Sequence, residues 1–416
     1  MPEIRITSLT FGPYAIAHLE GRTIMVPGAV PGDVLEVEIA SRRRDWSIAK
    51  IIRVITPGPA RRHPPCRYLP LCGGCDWQHI EYASQIETKA DIVATALEPL
   101  AEGPIERAGL VEPAPAEFGY RSRVRLKVGR GGRLGFHQLS SNDIVDIDEC
   151  LVSWAPLDAA RALARAIDRW ANEIEVAGDR DSQVIVAYGS KPVSARDREA
   201  AKRILEQFGF VKGIVMRADS AREVIGDATI TLDVEEGLDL RFDADLFSQV
   251  NHAQNRKLVA AVVEMAAVSD RTELLDLFCG VGNLSLAAAR VGATVTGADS
   301  DALAIAAASA NAARLGIERA RFLAMKSEDA ADFLIRANYK PDVIVVDPPR
   351  VGAAELMPRI ARLGARSVIY VSCDVATLAR DLRVLKASRY SVKRVRAFDF
   401  FPNTHHVEVV AHLLLT

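Results

Sequence analysis

The sequence lacks a long apolar run and an excess of basic charge, and it has only six cysteines in 416 residues. No uninterrupted apolar stretch approaches the ~18 to 20 residues that cross a membrane, and residues 1–10 lack the basic-then-apolar order of a signal peptide. We therefore expect a cytoplasmic protein with no membrane contact and no obligate protein partner. The net charge of -2 excludes a nucleic-acid surface built from a bulk excess of Lys and Arg, so any such surface must be local.

The six cysteines favour roles in metal binding or catalysis over disulfide bonds. Cytosolic thiols are kept reduced, so six cysteines without a secretion signal do not predict a disulfide framework. Four of them are candidates for one site: Cys66, Cys72, Cys75 and Cys150. Four thiolates suit tetrahedral zinc or an iron-sulfur cluster, although zinc sites more often use two Cys-x2-Cys pairs and this set has one. Unrelated buried thiols are the third interpretation.

The chain is too long for one ordinary hydrophobic core, and its pattern changes twice. Residues 1–58 read as short strands between Gly and Pro turns, which predicts a small OB-like β-barrel. Residues 59–245 have a mixed α+β pattern of unknown topology, with helices predicted over 80–97, 156–171 and 195–208. Residues 246–416 alternate strands and helices, which predicts a doubly wound parallel α/β sheet. The last two strands follow one another without a helix, so the final strand must run antiparallel.

Paired glycines follow a predicted strand in Asp276-Leu-Phe-Cys-Gly280-Val-Gly282-Asn283. Glycines at the carboxyl end of a parallel strand let a ligand approach the backbone, and Asp299, which ends the next strand, can accept hydrogen bonds from ribose hydroxyls. Ser285 stands where a dinucleotide fold would place a third Gly or Ala, so the pattern favours a ligand without a pyrophosphate, such as S-adenosylmethionine. A merely structural turn is the alternative, and we interpret Cys279 as structural.

Three chemically active side chains are predicted at the same edge of the sheet. Asp347, in Asp347-Pro-Pro-Arg350, and Cys373 each follow a predicted strand, and Glu408 lies in the apolar final strand. Carbon 5 of uracil becomes nucleophilic when a thiolate adds to C6, and a base must later remove the C5 proton. Cys373 and Glu408 are candidates for these two roles, with purely structural roles as the alternative for each residue alone.

A basic strand is the candidate for RNA contact. Cations alternate with apolar residues at Arg121, Arg123, Arg125 and Lys127, which predicts one basic strand face. A solvated charged face is the competing interpretation. Exposed phosphates would suit such a face, and a target uridine would have to leave its stack before a thiol could reach C6.

These segments together resemble the RNA 5-methyluridine methyltransferases, in particular the iron-sulfur 23S rRNA uracil-5-methyltransferases of the RumA or RlmD type. The resemblance spans nearly the whole chain and includes a TRAM-like barrel, the cysteine set, Phe247-Ser-Gln-Val-Asn251 and the motifs given above. It implies a class I, Rossmann-like catalytic domain, a 4Fe-4S cluster on the four cysteines, Cys373 as nucleophile and Glu408 as base. The S-adenosylmethionine contacts that it implies are Gln249, Phe278, Asn283, Asp299 and Asp347, beside the loop at Gly280.

Three positions depart from the family pattern. Asp299 stands where the family usually has Glu, Lys326 where an Asp is expected near the adenine, and Val375 where a Pro follows the catalytic Cys-Asp pair. Lys326 puts the affinity for the cofactor most in doubt.

The expected function is methylation of C5 of a uridine in 23S rRNA. The nearest alternative is a tRNA uridine methyltransferase, which the four cysteines oppose because the related tRNA enzymes are generally without the cluster. A non-catalytic RNA-binding protein with a degenerate cofactor site is a second alternative. DNA cytosine methylation is a third, but Ser372-Cys373-Asp374 lacks the proline that usually precedes the nucleophile there.

Overall fold

The fold was analysed in a computed structural model that describes residues 1–219 and 221–416. Its first part is a closed five-stranded barrel, which confirms the predicted barrel. The chain closes in the order β1-β2-β3-β5-β4, with β4 pairing antiparallel to β1, and alternate residues of each strand fill an apolar interior. Its strands are β1 (Glu3–Leu9), β2 (Tyr14–Leu19), β3 (Arg22–Pro27), β4 (Val34–Arg42) and β5 (Trp46–Thr56).

A loop segment carries three of the cysteines and leads into helix α1 (Tyr82–Leu97). A short 3-10 helix follows, and then β6 (Val111–Glu112), which joins the edge of the C-terminal sheet beside its last hairpin. The apolar face of α1 is buried in the core of that sheet. The prediction of a helix over 80–97 is confirmed to within two residues.

The middle of the chain forms a seven-stranded sheet in the order β13-β12-β11-β10-β7-β8-β9, with two helices on one face. The helix predicted over 156–171 ends earlier, because Ala171 already begins a strand. The elements are β7 (Arg123–Gly129), β8 (Arg133–His137), β9 (Ile144–Asp146), α2 (Asp158–Ile167), β10 (Ala171–Gly178), β11 (Gln183–Gly189), α3 (Ala195–Gln207), β12 (Val211–Ala218) and β13 (Ala221–Gly226).

The hairpin of β14 (Thr229–Glu235) and β15 (Leu238–Asp243) leads into the last part of the chain, where parallel strands alternate with helices as predicted. The sheet has eight strands in the order β18-β17-β16-β19-β20-β22-β21-β6, and β22 runs antiparallel to β20. Its elements are α4 (His252–Ala266), β16 (Glu273–Leu277), α5 (Asn283–Val291), β17 (Thr294–Asp299), α6 (Ala302–Arg314), β18 (Ala320–Ala324), α7 (Ser327–Arg336), β19 (Val343–Val346), α8 (Met357–Leu363), β20 (Ser367–Ser372), α9 (Val375–Ala387), β21 (Tyr390–Phe398) and β22 (Glu408–Leu415).

Apolar layers cover both faces of this sheet, which is why its central strands are apolar throughout. One layer includes the β14–β15 hairpin and α4, and the other includes α1 with α8 and α9. The core of the C-terminal sheet therefore recruits residues that precede position 246. The domain limits at 58 and 245 stay predictions.

None of the helices described in residues 1–219 and 221–416 is long and apolar enough to cross a membrane.

Candidate active site

The loop after β16 forms the floor of a cleft at the carboxyl edge of the sheet. Phe278, Gly280 and Gly282 all have positive φ, at 66°, 52° and 91°. A Cβ at Gly280 would meet no atom within 4 Å, so this backbone faces open space. The Gly280 N–H donates to Asp299 Oδ2 at 2.9 Å, which ties the ends of two neighbouring strands together. The loop thus leaves room for a ligand against the backbone.

Ser285, which stands in place of the third Gly or Ala of a dinucleotide motif, has a structural partner. Its Oγ donates to Asp276 Oδ2 at 2.5 Å beneath the loop. Asp276 is fully buried, and its Oδ1 has no hydrogen-bond partner in the described part of the chain. Burial raises the pKa of Asp276 to about 7. A buried carboxyl therefore lies directly under the predicted cofactor loop.

The cleft has a volume of about 430 Å³ and gathers most of the predicted site. Its lining includes seven predicted residues: Gln249, Phe278, Gly280, Asp299, Asp347, Cys373 and Glu408. Asn283 is not part of the lining, because its side-chain amide exchanges hydrogen bonds of 2.8 and 3.0 Å with the amide of Asn255 on α4. Lys326 is exposed where α7 begins and does not line the cleft.

Strand pairing explains how Cys373 and Glu408 reach the same cleft. In the β20–β22 ladder Ser372 is paired with Val409, so the next residues at this edge of the sheet are Cys373 and Glu408. Burial and then the nearby Glu408 carboxyl raise the pKa of Cys373 to about 12. Burial and the nearby Asp347 carboxyl raise the pKa of Glu408 well above its usual range. Cys373 is therefore protonated at neutral pH, and the environment of Glu408 favours its protonated form.

Buried carboxyls dominate the electrostatics of the cleft. Burial and then Asp276 raise the pKa of Asp347 to about 7. Arg350 is the opposing charge, since its proximity lowers the pKa values of both Cys373 and Glu408. A cationic ligand placed beside Asp347 would relieve the repulsion between these carboxyls.

Seven residues of the lining were not predicted as site residues, and three of these carry an aromatic ring or a cation. Phe247 leaves 75% of its surface exposed, which is unusual for a phenylalanine, and Phe401 and Arg350 complete the wall. Phe247 and Arg350 lie in motifs that the sequence had already singled out. Phe401 has no such signal, because its place depends on the path of the loop between β21 and β22.

The two histidines of that loop are engaged with protein groups. His405 Nδ1 lies 2.5 Å from Asp76 Oδ2, and the rings of His405 and His406 are 4.1 Å apart. Burial and the neighbouring His405 lower the pKa of His406 to about 3, so His406 is neutral. These contacts agree with satisfied loop histidines.

The four candidate metal ligands are near enough to affect one another electrostatically, although Cys150 is far from the others in sequence. Burial raises the pKa of Cys75 to about 12, and Cys150, Cys72 and Cys66 are close enough to raise it further. Burial likewise raises the pKa of Cys72 to about 11. All four thiols are free, and among residues 1–219 and 221–416 no three Cys, His, Asp or Glu side chains stand in a metal-binding arrangement.

The predicted basic face is only partly present. Arg123 is buried at 6% exposure, where its guanidinium bonds to Glu175 and to backbone carbonyls, so its placement on an exposed face is wrong. Arg125 and Lys127 are partly exposed but share the partner Glu173. Arg121 lies inward, beside the Phe401 ring. RNA contact by Arg121, Arg125 or Lys127 stays a prediction.

Comparison with known proteins finds RNA methyltransferases that match most of the chain. A family model described as tRNA (uracil-5-)-methyltransferase matches residues 194–415. The 23S rRNA (uracil(1939)-C(5))-methyltransferase RlmD of Pectobacterium atrosepticum is 32% identical over 425 residues, covering 99% of this chain and 93% of that protein. An uncharacterized RNA methyltransferase of Gloeobacter violaceus is 33% identical over 451 residues, covering 99% and 95%.

A solved structure has the same overall fold. It is the Pyrococcus abyssi tRNA (uracil-54, C5)-methyltransferase in complex with S-adenosyl-L-homocysteine. The two chains superpose with a TM-score of 0.75 at 25% identity, covering 99% of this chain and all of the other.

Proposed function

Because the chain belongs to the tRNA (uracil-5-)-methyltransferase family and is therefore an RNA uracil-C5 methyltransferase, we propose that it methylates a uridine of 23S rRNA through a covalent adduct on Cys373. The observation that carries the proposal is the register of β20 and β22, which brings Cys373 and Glu408 to one cleft with the glycine loop. The rRNA target is supported by the four gathered cysteines and by the rRNA enzyme among the relatives.

In the proposed reaction Cys373 is first the nucleophile and last the leaving group. Its thiolate forms a bond to C6 of uracil, and the C5–C6 electron pair moves towards O4. S-adenosylmethionine supplies an electrophilic methyl group when bound. After C5 has been methylated, Glu408 accepts the C5 proton, the C6–sulfur bond breaks and the thiolate returns to Cys373. Neither an oxidant nor a reductant is needed.

The cleft suits a cationic cofactor. Asp347 lines the cleft and Asp276 is buried beneath the loop that forms its floor, and each carboxyl has its pKa raised to about 7. A sulfonium charge beside them favours their ionised forms. The open backbone at Gly280 and the carboxylate of Asp299 are placed for a nucleoside, while Gln249 and Phe278 line the same cleft. These residues would hold S-adenosylmethionine.

The target base requires a second set of contacts. A uridine within a folded RNA must leave its stack to reach Cys373, and an exposed aromatic ring replaces part of the lost stacking. Phe247 supplies such a ring at the cleft. Arg350 lies near both Cys373 and Glu408, so its guanidinium can stabilise the thiolate and the charge that develops on O4.

The four cysteines fit a 4Fe-4S cluster in donor chemistry. Cys66, Cys72, Cys75 and Cys150 would be its ligands, and Arg121 lies near enough to lower the pKa values of Cys75 and Cys150. A cation beside the thiols favours the thiolates that a cluster requires. Since uridine methylation transfers no net electrons, the proposed role of the cluster is structural.

The test uses anaerobically purified protein, labelled S-adenosylmethionine and unmodified 23S rRNA or tRNA, with 5-methyluridine measured by nucleoside mass spectrometry. Methylation of rRNA is expected, and it should fall below detection in Cys373→Ala. Cys279→Ala is the matched control, because this buried cysteine lies outside the reacting pair.

The other outcomes separate the alternatives. Product from tRNA alone would identify a tRNA enzyme, the class to which the Pyrococcus abyssi protein belongs. Absence of product and of cofactor binding, with iron bound, would identify a non-catalytic RNA-binding protein. Full activity of Cys373→Ala would refute the covalent mechanism.

A further inference from the structure

The loop of residues 399–407 joins β21 to β22 and carries Phe401 into the cleft just before Glu408. It contains no regular element, so its shape depends on side-chain and long-range hydrogen bonds. Asn403 is central to it, because this residue is fully buried with a left-handed backbone at φ 67°. Whatever holds Asn403 and its neighbours also holds the wall of the cleft.

Helix α1 and other segments also hold this loop, through side chains such as Gln85 and Lys89, but two of its partners belong to the segment that carries the cysteines. The Trp77 N–H donates to the Asn403 carbonyl at 2.9 Å. The His405 N–H donates to Asp76 Oδ1 at 3.2 Å, and the His405 ring lies against the other oxygen of the same carboxylate. Asp76 and Trp77 directly follow Cys75. Cys75, a candidate cluster ligand, is therefore joined to the loop of residues 399–407 through one peptide bond and the side chain of Asp76.

A second contact joins the same two regions. Arg121 is close enough to Cys75 and Cys150 to lower their pKa values, and its guanidinium carbon lies 5.2 Å from the centre of the Phe401 ring. Its backbone N–H donates to the Val152 carbonyl at 2.8 Å, which holds the stretch after Cys150. One cation thus lies against the aromatic wall of the cleft and near the cysteines.

We propose that Asp76 is a positioning residue through which the cysteine centre fixes the loop of residues 399–407, and with it Phe401 and Glu408. This inference rests on the proposed roles of Glu408 and of the four cysteines. Filling the centre would hold Cys75, and hence Asp76 and Trp77, in place. Emptying the centre would free the cysteine segment and loosen the loop. The cofactor residues at the ends of β16 and β17 have no contact with this segment among those described above, so they would stay in place.

The first experiment measures amide hydrogen exchange in the full-length wild-type protein. Protein reconstituted anaerobically with ferrous iron and sulfide is compared with protein stripped of iron by a chelator. Exchange in residues 399–407 is expected to be about 10-fold faster in the stripped form, because local opening becomes easier. The β14–β15 hairpin is the internal control and should not change. Equal exchange in the two forms would overturn the inference.

The second experiment uses Asp76→Asn, which keeps the size and an oxygen for the His405 N–H but removes the negative charge beside the ring. Asp148→Asn is the matched control, since Asp148 is an exposed carboxylate two residues from Cys150 that pairs with Arg67 instead of the loop. Asp76→Asn is expected to lower kcat about 10-fold with little change in KM for RNA, because misplaced reacting groups slow the chemical step more than binding. Iron absorption should be retained, and exchange of the loop should increase.

Unchanged kcat and loop exchange in Asp76→Asn would overturn the inference. Loss of iron from this variant would also overturn the inference, because Asp76 would then be needed for iron binding by the cysteines. Its role would not be to fix the position of the loop of residues 399–407. If the variant fails to bind S-adenosylhomocysteine and is misfolded, the wild-type exchange experiment decides alone. Absence of 5-methyluridine from the wild-type protein would refute the proposed function, a result separate from these exchange rates.

Discussion

Cys373 and Glu408 lie beside one another in a buried, acidic cleft, and their environment decides how they can react. The pKa of Cys373 is raised by burial and by Glu408, and the pKa of Glu408 is raised by burial and by Asp347. Such a thiol is unreactive until charge in the cleft is rebalanced. We infer that a bound sulfonium provides this balance together with Arg350, which would prevent the thiol from reacting before the cofactor is present.

Glu408→Gln separates the two halves of the reaction. The amide has nearly the shape of the carboxyl but cannot accept the C5 proton, so methyl transfer should proceed and the C6–sulfur bond should remain. We expect a covalent complex of RNA and protein that survives denaturing electrophoresis, with turnover lowered by at least about 100-fold. Cys373→Ala is the control and should form no complex. Normal turnover by Glu408→Gln would assign the base to another residue.

The pH dependence of methylation should reflect the same two groups. Both act in their deprotonated forms, and both pKa values lie above the ordinary ones, so the rate is lost as the pH falls. We expect single-turnover rates to rise between about pH 6 and about pH 9 at saturating cofactor and RNA. Binding of S-adenosylhomocysteine, measured over the same range, shows whether the protein stays folded. A rate that falls over this range would contradict the assignment.

The structure explains how two departures from the family pattern, Val375 and Lys326, are tolerated. Val375, where a proline is usual, is the first residue of α9 and is buried, while Asp374 caps the helix by accepting from the Thr377 N–H at 2.8 Å. Proline and valine are both tolerated at a first helical position that an acidic residue caps. Lys326 is exposed outside the cleft, so it leaves the lining described above unchanged.

At the scale of elements, α1 is tied to the end of β21 by a buried ion pair. Lys89 Nζ donates to Asp399 Oδ1 at 2.6 Å and to the Phe401 carbonyl at 3.3 Å, and both charged side chains are fully buried. Because Asp399 begins the loop that leads to Glu408, this pair anchors one end of the loop while Asp76 contacts its middle.

Lys89→Met is expected to destabilise the protein strongly. It leaves the buried Asp399 charge without its partner, which costs about 3 to 5 kcal/mol in comparable buried pairs. The free energy of unfolding in urea measures the effect. Lys257→Met is the control, since Lys257 pairs with Glu112 at a partly exposed site and should cost less than about 1 kcal/mol. Similar losses of unfolding free energy in the two variants would show that the buried pair stabilises the protein no more than the partly exposed pair.

At the scale of the whole molecule, the barrel has its own core and meets the rest of the chain through few contacts. Asp33 pairs with Arg61 at the junction, Val30 packs against Trp77, and Phe11 lies against His405. The cleft takes all of its lining from residues 247–408. The barrel therefore contributes no residue to the cleft, and Phe11 places it beside the loop of residues 399–407.

Removal of residues 1–58, at the predicted boundary, should separate cofactor binding from RNA binding. The affinity for S-adenosylhomocysteine by calorimetry should change by less than about threefold, while KM for RNA should rise by at least about 10-fold as the exposed Arg42, Arg43 and Arg44 are lost. The triple change of these arginines to glutamine in the full chain is the control, and it should reproduce most of the rise. An unchanged KM would exclude the barrel from RNA binding.

The sequence by itself determined what depends on local pattern. The alternation of strands and helices, the glycine turn at Gly280 and the placement of Cys373 after a strand follow from periodicity and turn chemistry, which act over a few residues. The antiparallel final strand also followed, because no crossover helix precedes it.

Only the tertiary structure decided which distant segments meet. Arg123 is buried because Glu175 lies on the neighbouring strand, and β6 joins a sheet whose other strands begin more than 150 residues later. Asp76 reaches His405 across 329 positions, and Cys150 lies near enough to Cys75 to affect its pKa. The periodicity and composition of a sequence do not specify such pairings, because the free energy of a long-range contact depends on how whole layers pack. A single sequence shows only which residues are available to form the contact.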